Sequence, residues 1–136
     1  MSKETYFKID TYGRVSKVQI ERENMLREFY NALDCDSLEN VRTMIPDVCL
    51  VVDECSKIRC PPRAYNDVAS CFYRGALLGL DYIAGSVILA AIHQVDGESD
   101  WVPLSEGEIA HVYTYLCAHG NRYEAKELLK AYDEAS

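Results

Sequence analysis

The stretch from Tyr82 to Ile92, Tyr-Ile-Ala-Gly-Ser-Val-Ile-Leu-Ala-Ala-Ile, is the most apolar in the chain and carries no charge. A segment without a polar face has to be covered on both sides by the rest of the fold. Its β-branched residues and Gly85 favour a central strand, although its Ala and Leu residues leave a helix open. Val48-Cys49-Leu50-Val51-Val52 is a second continuous apolar run and stops at Asp53-Glu54. Its shortness reads as a strand covered on both faces.

Other strands announce themselves by alternation. Tyr6 to Asp10 and Val15 to Ile20 alternate apolar and polar residues on either side of Thr11-Tyr12-Gly13-Arg14, which predicts a β-hairpin with one buried face. Lys57-Ile58-Arg59-Cys60 is expected to pair with the 48–52 strand, ending at Pro61-Pro62. Leu38, Val41, Met44 and Ile45 lead to a turn at Pro46-Asp47. Gln94 to Leu104 reads as a polar, acidic loop carrying the single Trp101.

Helical period appears in three places. Met25, Leu26, Phe29, Tyr30 and Leu33 form one stripe, with Arg27, Glu28 and Asn31 opposite. Asp34-Cys35-Asp36-Ser37 ends that helix. Ser105-x-x-Glu108 is a capping box ahead of Ile109, Val112, Tyr113, Leu116 and Cys117, with Gly120 as its stop. Tyr123 to Glu134 follows as a second helix with Ala125, Leu128, Leu129 and Tyr132 on one side, so residues 105–136 read as a helical hairpin. Between Ala64 and Gly79, Val68, Cys71 and Phe72 suit a short helix capped by Asn66, and Gly75 and Gly79 bracket a tightly turned stretch.

The sum is an α+β single domain: a mixed or antiparallel sheet of four or five strands, a packed helix and a C-terminal helical hairpin. Residues 1–104 make the α+β core and 105–136 pack on the same domain. At 136 residues the chain suits one domain, which buries about 65–70% of its unfolded surface. The longest apolar run falls short of the roughly 20 residues that span a bilayer, and Met1 to Thr5 do not resemble a signal peptide. A cytoplasmic protein in a bacterial host cell is expected, with no membrane partner. The six cysteines show no C-x-x-C spacing and are expected as free thiols, with a Cys55–Cys60 clip the minority alternative.

Charge narrows the partners. There are 22 acids against 14 bases, which argues against nonspecific nucleic-acid binding, because phosphate attraction needs a Lys/Arg surface. From Asp81 to Glu108 there are six acids and neither Lys nor Arg. That distribution favours a solvated face or a basic partner. His93, His111 and His119 lack suitably spaced nucleophiles, and the last two lie about 12 Å apart along a helix, too far to share a metal. Asp53-Glu54 and Asp34 with Asp36 are paired carboxylates that a sheet end explains as well as catalysis does. No phosphate loop, dinucleotide fingerprint or hydrolase motif is present. Catalytic residues, metal and cofactor are therefore expected to be absent.

A longer pattern joins these pieces. Phe29-Tyr30 leads to Asp34-Cys35-Asp36, then to Ile45-x-x-Val48, and the strand closes with Val51-Val52-Asp53-Glu54 and Lys57. Pro62-Arg63-Ala64-Tyr65-Asn66-x-x-Ala69-Ser70 and Gly79-x-Asp81-x-Ile83-x-Gly85-x-Val87 follow. Over residues 5–110 this resembles the DUF3846 family, whose members are encoded largely by bacteriophages and by integrated or conjugative elements of Gram-positive bacteria. Cys55-Ser56 departs from the glycine common after the family's Asp-Glu pair. The resemblance implies a setting and brings no catalytic residues.

Two functional expectations result. The first is a non-catalytic phage or mobile-element accessory protein that inhibits a host defence system, such as a CRISPR or restriction nuclease. An acidic surface of Asp96, Glu98, Asp100 and Glu106, with Trp101 as apolar anchor, would meet a host protein with a basic surface. The second is a nucleotide-binding protein that sequesters a small-molecule signal with Arg63, Tyr65, Asn66, Tyr73 and Arg74, where rings and guanidinium groups could clamp a base. A homo-oligomer is compatible with either.

Overall fold

The computed structural model describes residues 3–135. Among these, six strands and five helices follow in the order β1 (Lys3–Ile9), β2 (Val15–Glu21), α1 (Met25–Leu33), β3 (Leu38–Arg42), β4 (Val48–Asp53), α2 (Asp67–Ser70), α3 (Arg74–Leu77), β5 (Val87–Val95), β6 (Glu98–Val102), α4 (Glu106–Ala118) and α5 (Arg122–Ala135). Every strand pairing is antiparallel. The order across the sheet is β2-β1-β5-β4-β3, and β6 also pairs with β5. Ala91 pairs with Val48 of β4 and with Val102 of β6. β6 therefore lies on the edge of β5 that β1 occupies further along.

The two apolar runs become β4 and β5, adjacent in the middle of the sheet, and all six residues of β4 are buried. Alternation then divides the core. Phe7, Ile9, Leu50, Val52, Leu89 and Ala91 face Ile109, Val112 and Leu116 of α4 and Ala125 and Leu128 of α5. Tyr6, Ile20, Cys49, Val51, Ile88 and Ala90 face Phe29 and Leu33 of α1. The result is a three-layer α+β domain with the C-terminal helices and α1 on opposite faces. Residues 105–135 share the first cluster with the sheet, so they belong to the same hydrophobic core.

Local signals hold up at the helix ends. Ser105 accepts from the Glu108 N–H at 3.2 Å, and the Glu108 carboxylate accepts from the Ser105 N–H at 2.8 Å, completing the capping box. After α4, Gly120 N–H donates to Cys117 O and Asn121 N–H to Leu116 O, with Gly120 at φ 82°. That is the left-handed stop that lets α5 fold straight back. Asn66 caps α2 through the Ala69 N–H at 3.0 Å.

Four expectations change. The 94–104 segment is not a loop: β5 runs to Val95 and turns at Asp96-Gly97 into β6. Asp96 at φ 51° and Gly97 at φ 83° are both left-handed, as a two-residue primed hairpin turn requires. Residues 57–60 do not pair with β4; they lie in turns, and β3 takes that edge instead. The central strand starts at Val87 rather than Tyr82, because Gly85 sits at φ 84° and only Ala84 bridges outward, to Tyr65. Leu26 is exposed, since α1 presents Met25, Phe29, Ala32 and Leu33 to the sheet.

Candidate functional site

The five acidic-surface residues occupy the β5–β6 hairpin and the start of α4. Asp96 and Glu98 are exposed at the hairpin tip, and Glu106 is exposed in the first turn of α4. Asp100 is drawn into an ion pair with Arg22 at 2.7 Å. The same guanidinium binds Glu4 at 2.8 Å and the Trp101 carbonyl at 2.6 Å. Trp101 itself is half-buried. Its ring lies 5.4 Å from that of Phe29, and its Nε1–H donates to Asn40 at 3.0 Å. Strand alternation explains why: Trp101 pairs with Ile92 and joins the core under α1. So Arg22 neutralises one of the acids, and the tryptophan is not the free apolar anchor expected of it. Tyr6, beneath this cluster, has its hydroxyl pushed up by burial and by the Glu4 carboxylate.

The nucleotide set fares differently. Asn66 is wholly buried, and its amide is fully engaged: Nδ2–H donates to Ile9 O at 3.1 Å and Gly85 O at 2.9 Å, while Oδ1 caps α2. It is a strut between β1, the 83–85 bend and α2, with nothing left for a ligand. Arg63 is spent on Asp53, at 3.6 Å, and on the Asp34 carbonyl. Arg74 is exposed at the start of α3. Tyr65 and Tyr82 do meet, with ring centroids 5.6 Å apart, and Tyr73 Oη donates to Asp81 at 3.0 Å. The cavity beside them, lined by Tyr73, Asp81, Tyr82, Lys57 and Ser56, holds about 70 Å³. A nucleotide needs a site on the order of 300 Å³ or more. The segment is a structural knot, and its cavity among the described residues is smaller than that.

Asp53 and Asp81 tie that knot. Asp53 ends β4, is only 4% exposed, and bonds to Arg59, Arg63 and the Cys55 N–H. Burial pushes its carboxyl up, but the Arg59 bond, the Cys55 N–H and Arg63 together outweigh it and hold the group below the usual carboxylate range. Glu54 turns the other way and accepts from Ser37. Asp81 pairs with Lys57, whose ammonium also lies 4.5 Å over the Tyr82 ring. The Lys57 bond comes first among the contacts that hold Asp81 low. Of the histidines, His93 Nε2 contacts Glu108 at 3.0 Å and His119 stacks on Tyr115 at 4.1 Å, so both serve local structure.

What this clamp presents was missed in the sequence. The 74–81 backbone bonds within itself: Leu78 N–H to Arg74 O, and both Leu80 and Asp81 N–H to Gly75 O. Its leucines therefore turn outward. Leu77, Leu78 and Leu80 are 48%, 59% and 79% exposed, and Ile58, from the turn that Lys57 binds to Asp81, is 81% exposed. Tyr65 and Tyr82, whose rings meet, are also exposed, at 51% and 40%. A signal existed: Ala76-Leu77-Leu78-Gly79-Leu80 is an apolar run inside a tight turn, which has no interior to bury it. No family model, curated protein or solved structure matches the chain, so the family resemblance rests on the motifs quoted above.

Proposed function

We propose that this domain acts by holding a partner protein, and that the shoulder formed by Ile58, Leu77, Leu78, Leu80, Tyr65 and Tyr82 is its docking surface. The exposed leucines and isoleucine carry the reading. Fully burying such a side chain is worth about 1.5–3 kcal/mol, of which the half-exposed Leu77 and Leu78 forgo only part, and exposed large apolar side chains that gather into a patch mark interaction sites. The Lys57–Asp81 pair and the hydrogen bonds within 74–81 tie the segment to the turn that carries Ile58, which lowers the ordering cost of association. Of the Asp53-Glu54 pair, Asp53 is committed to two arginines and Glu54 to Ser37, and Asn66 of the nucleotide set is committed to three backbone groups.

The motif resemblance implies the setting, bacteriophages and mobile elements, and within that setting the partner we propose is a host defence nuclease. The chain's net charge of −8 would speed encounter with a basic partner, while the shoulder supplies the apolar contact that Trp101 does not. The test is capture of a basic partner from a Gram-positive lysate, compared between wild type, Ile58→Asp with Leu80→Asp, and Glu98→Lys with Glu106→Lys. Loss of capture at every salt concentration in the shoulder variant, with only slower association in the acidic variant, is the expected result. Capture that survives the shoulder changes and vanishes in the acidic variant would return the acidic face to first place.

A further inference from the structure

The sheet has edges at β2, β3 and β6, and they are not treated alike. In β6 the Trp101 carbonyl points away from β5, and it is capped by Arg22 and, at 3.5 Å, by Tyr6 Oη. In β2 the outward N–H of Glu21 is taken by Glu28 at 2.9 Å. Capping of outward backbone groups is one way natural edges avoid pairing with other chains. Among the described residues β3 has no such cap.

Its outward groups can be identified from the register. Glu54 N–H donates to Ser37 O and Thr43 N–H to Val48 O, so the odd-numbered residues bond to β4. The backbone N–H and C=O groups of Leu38, Asn40 and Arg42 therefore face outward. The charges of Glu39 and Arg42 project to opposite faces of the sheet, perpendicular to the edge, and do not shield it.

We propose that β3 pairs with β3 of a second copy of this chain, antiparallel about a two-fold axis through Asn40, giving one continuous sheet across the dimer. The sequence Leu38-Glu39-Asn40-Val41-Arg42 selects that register. Centred on Asn40, every outward N–H and C=O finds a partner, Leu38 lies opposite Arg42 of the second copy, and Glu39 lies opposite Val41. Centring on Glu39 sets two carboxylates against each other, which is destabilising. Centring on Val41 leaves Leu38 unpaired. An isologous contact of this kind closes on itself and does not propagate. It uses none of the shoulder's side chains, although Glu39 and Val41 line one small cavity with Tyr82.

Sedimentation from micromolar to millimolar concentration tests it on the full chain. Wild type should rise from 15.4 kDa to twice that mass. Asn40→Pro removes an N–H that the ladder to β4 does not use, and Asn40→Lys sets two ammonium groups face to face. Each should weaken the dimer at least about tenfold while keeping the wild-type circular dichroism. If Asn40→Pro fails to fold, Asn40→Lys decides alone.

Asn40→Cys should form disulfide-linked dimers above the wild-type background, because paired residues at such a position have Cα atoms about 5.5 Å apart. Arg42→Cys should not, since it faces Leu38. A monomer at every concentration would overturn the proposal and leave the edge to a strand from another protein. So would a dimer that survives Asn40→Lys, a dimer lost only in Leu80→Asp, or equal cross-linking at positions 40 and 42.

Discussion

Replacing Asn66 by alanine should be among the most damaging single changes in this protein, although its side chain is short and, being wholly buried, forms no part of either proposed surface. Its amide joins three buried backbone groups, Ile9 O, Gly85 O and Ala69 N. Losing the cap on α2 costs about 1 kcal/mol. Each carbonyl left without its donor costs about 1–3 kcal/mol, with the lower end applying where water can enter the vacated space. The expected total is about 3–4 kcal/mol, a large share of the roughly 5–15 kcal/mol that holds a domain folded.

Urea unfolding followed by Trp101 fluorescence would show it. With a slope of about 2 kcal/mol per molar, the midpoint should fall by about 2 M. Asn66→Asp is the sharper variant, since it keeps the acceptor for Ala69 but turns the donors towards Ile9 and Gly85 into acceptors. Burial and the facing carbonyls would raise that new carboxyl above its unfolded value. The stability of Asn66→Asp relative to wild type should therefore be greatest below about pH 4 and fall as pH rises through the folded value. A midpoint shift below about 0.5 M in Asn66→Ala, or wild-type stability of Asn66→Asp at neutral pH, would refute the strut.

Asp53→Asn should cost about 1–2 kcal/mol at pH 7, because Arg59 and Arg63 lose their charged partner but stay hydrated. Asp53 is held low in the fold, so its contribution is present above about pH 4 and fades as pH falls through the folded value; the gap between wild type and variant should close in acid melts. Gly97→Val should cost about 1–2 kcal/mol from the left-handed φ alone, since open space surrounds that position, and thermal melts would register it. Ser105→Ala should lose about 1 kcal/mol through the capping box, with faster amide exchange confined to the first turn of α4 as the check.

The parts of the fold legible in the sequence are those whose signal is a residue's own neighbourhood. Val48 to Val52 had to be covered twice, and it is; Ser105 and Glu108 had to bond reciprocally, and they do. Asp96-Gly97 carried an equally local signal, a primed turn, but it was submerged in an acidic stretch read for its charge. β3 was harder, because Leu38 and Val41 break strict alternation and only pairing with β4 makes the segment a strand. The candidate sites were the least legible for a physical reason. Whether Asp100 is free depends on Arg22, 78 positions away, and whether Asn66 can meet a ligand depends on Ile9 and Gly85. A binding surface is defined by which groups the fold leaves without partners. The exposed leucines and the bare edge of β3 become visible only after every other group has been assigned one.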